Sequence, residues 1–427
     1  MGRIIWQRSL KWCGLVLAVT LMSSPAWSGG LWVYESGGPD LGTAAAGRAA
    51  MALDASTAFG NPAGMTNLDR TEFVGSLMGI IPSGGFRTDS KSTWGPWTCT
   101  GDVGNIMPGA SGFFVYKLND KWRLGASLTS YIGTSANFGD NWAGRYYLQA
   151  VTLMTISFTP TVAYKVNDWL SIGVGPNIVW GKLKQSAAIN NILDGLPDGR
   201  LTLNDNTFGF GALAGIMIEP QKGTRIGVSY LSPVEMNFSD VATVSGLGPT
   251  LAGALAPLRG AKLNMKQTLP QQVMLSVYHQ LNDKLALMAN FGWQNWKAFG
   301  NIGLEVDAAN TTSLTADSHL RDTFHGALGM QYRIMPQWLW SLGIAYDSAA
   351  STYSYRTPTN AFDRKWRYAT GIQYTWRDNI TLGLAYELLD LGKARMNFQR
   401  GPLAGRIAGD VPSNLVNFVA ANIKWQF

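Results

Sequence analysis

Leu415-Val416-Asn417-Phe418-Val419-Ala420-Ala421-Asn422-Ile423-Lys424-Trp425-Gln426-Phe427 ends the chain on a two-residue rhythm. Val419, Ala421, Ile423, Trp425 and Phe427 are apolar, and Asn422, Lys424 and Gln426 between them are polar. Successive side chains of a strand point to opposite faces, so this stretch has one apolar and one wet face. A soluble edge strand would carry the same rhythm, which makes its recurrence along the chain the deciding observation. Trp122, Leu124, Ala126 and Leu128 alternate with Arg123, Gly125, Ser127 and Thr129. Phe208, Phe210, Ala212, Ala214, Ile216 and Ile218 are spaced by glycines and other residues, and Ile380, Leu382, Leu384 and Tyr386 alternate with Thr381, Gly383 and Glu387.

The alternating runs meet at tight turns: Asn119-Asp120, Asn167-Asp168, Glu219 to Thr224, Asn282-Asp283, Met335-Pro336-Gln337 and Arg377-Asp378-Asn379. Between hairpins lie longer irregular stretches, about 82–109, 133–146, 183–206, 239–262, 297–320, 349–363 and 391–414. Six short turns and seven long loops make fourteen strands, from Thr71–Ile81 to Leu415–Phe427. Short periplasmic turns, long outer loops and an even strand number are the pattern of an outer-membrane barrel. Closure removes the sheet edges that lipid could not hydrogen-bond. Trp122, Trp169, Trp338, Trp366, Trp376 and Trp425 fall near strand ends, where an interfacial girdle belongs. The expected fold is therefore all-β: a transmembrane antiparallel β-barrel over 71–427.

Composition agrees. Of 427 residues only 14% are charged, yet 46% are hydrophobic. Such a chain with no further long apolar run must spread its apolar side chains along strands. Residues 1–28 read as a signal peptide: Arg3, Arg8 and Lys11 precede an apolar run from Trp12 to Met22, and Ser23 to Ser28 supplies small residues for cleavage. The run is too short to cross a bilayer as a helix. Removing it takes three cations from the formal +7 and leaves 31 − 27 = +4, too weak and dispersed for a nucleic-acid partner. Cys99 is then the lone cysteine, so no disulfide framework is expected.

Residues 29–70 do not alternate. They are mostly small and uncharged, include an Ala-rich stretch able to form a short helix, and end in Phe59-Gly60-Asn61-Pro62-Ala63-Gly64-Met65. They read either as a loose leader or as a plug, which a fourteen-strand lumen would need. Asn61-Pro62-Ala63 ahead of the first strand resembles the hatch signature of the FadL/TodX family of outer-membrane transporters. Trp142-Ala143-Gly144-Arg145-Tyr146-Tyr147, Leu269-Pro270, the hairpin stretch Trp340 to Asp347 and the aromatic terminus are similar to that family too. The resemblance spans residues 29–427. It implies an N-terminal hatch over 29–70 with Asn61, Pro62 and Ala63 at its anchor, and passive import of long-chain fatty acids or of aromatic hydrocarbons. It also implies sideways exit through a distortion of the third strand near Gly133, and insertion into the outer membrane of a Gram-negative bacterium. The partners it implies are the hydrophobic ligand, outer-membrane lipids and the barrel-assembly machinery reading the C-terminal strand.

The loops carry their own signal. Ile189, Ile192, Leu193 and Leu196 fall at i, i+3, i+4 and i+7, and Leu251, Ala254, Leu255 and Leu258 repeat the spacing, with Pro257 interrupting. Each would lay an apolar stripe on a short helix. The stripes either cover each other or line a groove for a hydrophobic ligand, and the resemblance points to the groove. Among polar groups, His319, Arg321, His325 and Arg333 are expected on one inward strand face, either as ordinary lining or as carboxylate contacts, with Arg321, His325 and Arg333 the candidates. No phosphate loop, nucleophile elbow or metal-ligand spacing is present, so no cofactor or enzymatic activity is expected. A lipid hydrolase would have only Ser318 and His319 to build on. A general porin would need charged constriction ladders that these leucine-rich loops lack.

Overall fold

A computed structural model describes residues 34–36, 38–94, 106–256, 260–307, 312–357, 363–399 and 401–427. The expected signal peptide, Cys99 and Leu258 lie outside the described residues. Fourteen strands form the wall. The first seven are β1 (Glu72–Gly84), β2 (Met107–Lys117), β3 (Trp122–Thr129), β4 (Ala150–Lys165), β5 (Leu170–Ile189), β6 (Gly199–Gln221) and β7 (Thr224–Leu231). The remaining seven are β8 (Gln272–Gln280), β9 (Leu285–Gln294), β10 (Thr323–Met335), β11 (Trp338–Asp347), β12 (Lys365–Arg377), β13 (Ile380–Asp390) and β14 (Asn414–Gln426). Each pairs antiparallel with its sequence neighbour, and β1 pairs with β14 from Glu72↔Gln426 to Gly84↔Asn414, which closes the ring.

Outward positions carry Leu77, Phe114, Leu124, Ile172, Leu328 and Leu384, all exposed and so available to lipid. Trp122 packs on Tyr164, Trp338 on Tyr374 and Trp425 on Phe427 at the short-turn end, whereas Trp366 packs on Tyr346 at the other. These are the two aromatic belts.

The outer loops hold more structure than the sequence reading allowed. β5 runs on to Ile189 and β6 starts at Gly199, so the loop expected over 183–206 shrinks to nine residues, 190–198. Beyond the bilayer the outward face no longer has to be apolar, and the alternation that reveals strands fades there. The stretches expected as irregular around 239–262 and 297–320 contribute to a four-stranded sheet of Val234–Val241, Lys262–Leu269, Asn301–Asp307 and Thr312–Asp317.

The N-terminal segment lies inside the ring. The turn Pro39–Thr43 contacts β10 to β13, the helix Thr57–Gly60 contacts β2 and β3, and the turn Pro62–Asn67 contacts β3 to β6. Its Ala-rich part is not the helix that its composition favours. It is a run of turns, with Ala44, Ala45 and Ala52 at positive φ. Wall side chains impose that path: Gly47 N–H donates to Asn290 Oδ1 at 2.7 Å, and Ala49 N–H to Ser276 Oγ at 3.0 Å. Asn290 in turn donates to the Ala45 carbonyl. Tertiary hydrogen bonds thus override local propensity, at a cost of about 1–3 kcal/mol for each strained residue.

Asn61 is wholly buried. Its Nδ2 donates to the Ala49 carbonyl at 2.7 Å and to the Ile216 carbonyl of β6 at 3.0 Å, while Oδ1 accepts from Ala63 N–H at 3.1 Å. Pro62 supplies the fixed φ of the next turn and needs no donor there. The corner fits because the wall has glycine where it approaches most closely. A Cβ on Gly215 would lie 1.8 Å from Asn61 Oδ1, one on Gly173 2.5 Å from Ala63 N, and one on Gly227 1.8 Å from the Ala49 carbonyl oxygen. On the opposite wall a Cβ on Gly343 would lie 2.0 Å from the Thr43 carbonyl oxygen.

Gly227→Ala should therefore displace the Ala49–Asn61 contact, destabilise the protein by about 1–3 kcal/mol, and raise ion conductance across planar bilayers. Gly326→Ala, whose Cβ would meet nothing within 4 Å, serves as control. Equal conductance for both variants and the parent would show that close packing at this corner does not seal the lumen.

Candidate functional site

The third strand is interrupted. β3 pairs with β4 as far as Thr129↔Ser157, and pairing resumes with Gly133↔Met154 to Asn137↔Ala150. The residues between, Ser130 to Ile132, turn inward: Tyr131 and Ile132 are buried. Asn177 Nδ2 donates to Tyr131 Oη at 3.2 Å, and Thr155 Oγ1 donates to the Ile132 carbonyl at 2.5 Å, holding the bulge. On the other side, Met107 to Ser111 of β2 pair with β1 but not with β3. Pro108 sits in that stretch and has no N–H to leave unmet. The wall is therefore open between β2 and β4.

An apolar cavity of about 610 Å³ lies at this opening. Its size is that of a small-molecule site. Met78, Ile80, Leu389 and Phe418 line it from inside the barrel, Phe86 and Trp142 from the loops, and Glu35 and Ser36 from the N-terminal segment. Alternate residues of β4 line it too. Leu153 and Thr155, 2% and 0% exposed, face inward, whereas Met154 and Ile156, 41% and 40% exposed, face outward. One cavity lined by both faces of one strand passes through the sheet.

Trp142 is fixed above the cavity by a hydrogen bond from Nε1 to the Leu148 carbonyl at 2.6 Å, by stacking on Phe138, and by an edge contact with Phe86. Outside that aromatic cluster Arg145 Nε pairs with Asp198 at 2.7 Å, and Tyr146 Oη donates to the same carboxylate at 2.8 Å. Burial of the Tyr146 hydroxyl, with its hydrogen bond to Asp198, pushes its pKa up to about 12. It stays a donor at any ordinary pH.

Beneath the cavity sits a buried charge cluster. Arg367 of β12 pairs through Nε with Glu35 at 2.7 Å and with Glu387 of β13 at 3.3 Å, and through Nη1 with Asp347 of β11. Asp347 also binds His325 Nδ1 at 2.8 Å, and the His325 ring lies 4.4 Å from that of Tyr34. Burial alone would raise the Glu35 pKa, but the Arg367 guanidinium outweighs it and holds the carboxyl below its ordinary range, at about 2. The stabilisation from this pair is complete above the normal glutamate pKa and is lost as pH falls toward that lower value.

The sequence-derived site residues are distributed differently from expectation. Ile189 ends β5, and Ile192–Asp194 form a single 3-10 turn, so the first stripe is not a helix. The second loop does form a helix, Pro249–Ala254. Ile189 and Leu251 pack together with Leu201, which is the covering arrangement, while Leu255 is half-buried. Ile192, Leu193 and Leu196 remain 55%, 60% and 48% exposed on the tip. The two loops are tied by Asn191 Nδ2 to the Gly246 carbonyl at 2.7 Å and by Thr250 N–H to Asp194 at 3.2 Å. Of the expected loop residues, the six that are described, Ile189, Ile192, Leu193, Leu196, Leu251 and Leu255, do not line the cavity.

Arg321, His325 and Arg333 do not converge. Arg321 and His319 precede β10 and are exposed, with His319 paired to Asp317 at 3.1 Å. Arg333 lies eight residues beyond His325, about 26 Å along the strand. It lines a separate polar cavity of about 160 Å³ with Leu53, Gln331, Gln373 and Lys424. Of the three, His325 alone belongs to the charge cluster. Arg367 and Glu35 went unread because nothing in a single strand marks an inward arginine as paired across the lumen.

A family model described as outer membrane protein transport protein (OMPP1/FadL/TodX) matches residues 19–427. A long-chain fatty acid transport protein of Escherichia coli O6:H1 is 29% identical over 421 residues, covering 90% of this chain and 91% of that protein. An outer membrane protein P1 of Haemophilus influenzae is 27% identical, covering 88% and 89%. Among solved structures, a Pseudomonas aeruginosa FadL homologue superposes with a TM-score of 0.81 at 22% identity, over 93% of this chain and 99% of that one. The Ralstonia pickettii toluene transporter TbuX gives 0.68 at 17%, over 92% and 100%. A closed fourteen-strand wall and a family match across it lead to one assignment: the chain belongs to the OMPP1/FadL/TodX family of outer-membrane transport proteins.

Proposed function

We propose that this protein imports hydrophobic small molecules passively across the outer membrane, with long-chain fatty acids as the first candidate. The observation that carries the reading is the apolar cavity lined by both faces of β4 at the interruption of β3. A hydrophobic solute in it has a way toward lipid through the opening in the wall. The fatty acid transport proteins among the relatives supply the ligand class. Export by residues 1–28, insertion by assembly machinery that reads the strand ending at Phe427, and a hatch over 29–70 anchored at Asn61, Pro62 and Ala63 complete the proposal. No ATP-binding motif exists in the sequence, so movement runs down the ligand gradient, and binding shifts the hatch only by as much as it favours the shifted state.

First contact is assigned to the outer loops: Ile192, Leu193 and Leu196 on one, with Ile189, Leu251 and Leu255 behind or beside them, and Leu258 kept among the expected contacts from its sequence spacing alone. Burying an aliphatic side chain is worth about 1.5–3 kcal/mol. An Ile192→Asp/Leu255→Asp variant should thus bind a labelled fatty acid more than about tenfold more weakly. Wild-type affinity would reduce the stripes to packing between loops.

Passage is tested at Gly133. A Cβ there has nothing nearer than the Leu153 carbonyl oxygen at 3.7 Å, so Gly133→Trp fits the backbone and fills the opening. Uptake of labelled oleate by cells with matched barrel levels should fall to background, with the folded barrel still heat-modifiable. Uptake at the parental rate would place the exit elsewhere.

A further inference from the structure

Among the described residues lining the cavity only Glu35 bears a formal charge, and it has the wrong sign for an anionic ligand. Glu35 lines the cavity and stands in front of Arg367, which does not line it. Arg367 is fully buried and faces three carboxylates. Asp347 and Glu387 belong to β11 and β13, the two strands flanking β12, so the sheet fixes them. Glu35 comes from the N-terminal segment, in a stretch with no regular secondary structure. It is the removable one of the three. Arg367 Nη2 and Glu35 Oε2 are both buried without a hydrogen-bond partner, so the guanidinium keeps a donor that this arrangement leaves unused.

We propose that Arg367 is the site for the anionic head group of the ligand, and that Glu35 occupies it in the ligand-free protein. The proposal deepens the import reading and rests on it. A carboxylate arriving from the cavity cannot settle beside Glu35, because two like charges in a low-dielectric interior repel strongly. It can take Glu35's place: one carboxylate enters the guanidinium fork, one leaves, and the buried charge is unchanged. The planar fork of arginine suits that exchange, since it binds any carboxylate in the same geometry. A neutral alkane or alcohol has no such requirement. Glu35 therefore sets how the cavity ranks anionic amphiphiles against neutral chains of the same length.

The test uses the full-length protein in nanodiscs at about pH 8, where a fatty acid head group is ionised. Calorimetric affinities for laurate and for dodecanol are measured for the parent, Glu35→Gln and Glu35→Asp. Removing the competing charge should raise the ratio of laurate to dodecanol affinity by at least about tenfold in Glu35→Gln, equivalent to about 1.4 kcal/mol. Glu35→Asp keeps the charge and should keep the parental ratio. A ratio unmoved in Glu35→Gln, or moved equally in Glu35→Asp, overturns the proposal. If the parent binds neither compound, the import reading fails as well, an outcome distinct from both.

Discussion

Every backbone amide at membrane depth has to find its hydrogen-bond partner inside the protein, because lipid offers none. Ring closure through β1 and β14 satisfies that demand almost everywhere, and the rest of the architecture follows from where it lapses. Between β2 and β4 the ladder is broken at Ser130 to Ile132. The break is managed in three ways: Pro108 removes a donor from the unpaired edge, Thr155 takes the Ile132 carbonyl, and Asn177 holds Tyr131 inward. A defect held this firmly is a built opening, and the apolar cavity runs to it.

The N-terminal segment meets the wall at backbone distance. Gly173, Gly215 and Gly227 on one wall, and Gly343 on the other, let the N-terminal segment approach where any side chain would collide. The segment answers with alanine, glycine and one asparagine whose amide is fully used. Above this polar and close-packed floor the charge cluster around Arg367 adds a tie of a different kind, an ion pair between the N-terminal segment and β12. Hydrogen bonds hold the lower part of the segment in shape, while the Glu35 pair borders the apolar cavity.

The barrel could be read from sequence because lipid imposes a strict two-residue rule on every span, visible at Val419 to Phe427 and at Ile380 to Tyr386. That rule stops at the membrane surface, which is why the sequence places a loop over about 183–206 although β5 runs on to Ile189 and β6 starts at Gly199, and why it gives no sign of the outer four-stranded sheet. The apolar spacing from Ile189 to Leu196 is real, but helical spacing alone cannot distinguish a helix from a strand end followed by a turn. Asn61-Pro62-Ala63 stands out in the sequence by its resemblance to the hatch signature. Its glycine cradle does not, since Gly173, Gly215 and Gly227 acquire meaning only when three strands are placed side by side. Arg367 and Glu35, 332 residues apart, left no local trace at all.

Photo-crosslinking of an alkyl chain carrying a diazirine is the most direct measure of lateral passage. Adducts should map to Leu153 and Thr155 on the inner face of β4 and also to Met154 and Ala110 on the lipid side of the same opening. Adducts confined to Leu53, Gln331 and Gln373, around the separate polar cavity that also holds Arg333, would show that the chain crosses past the N-terminal segment and would contradict exit through the wall.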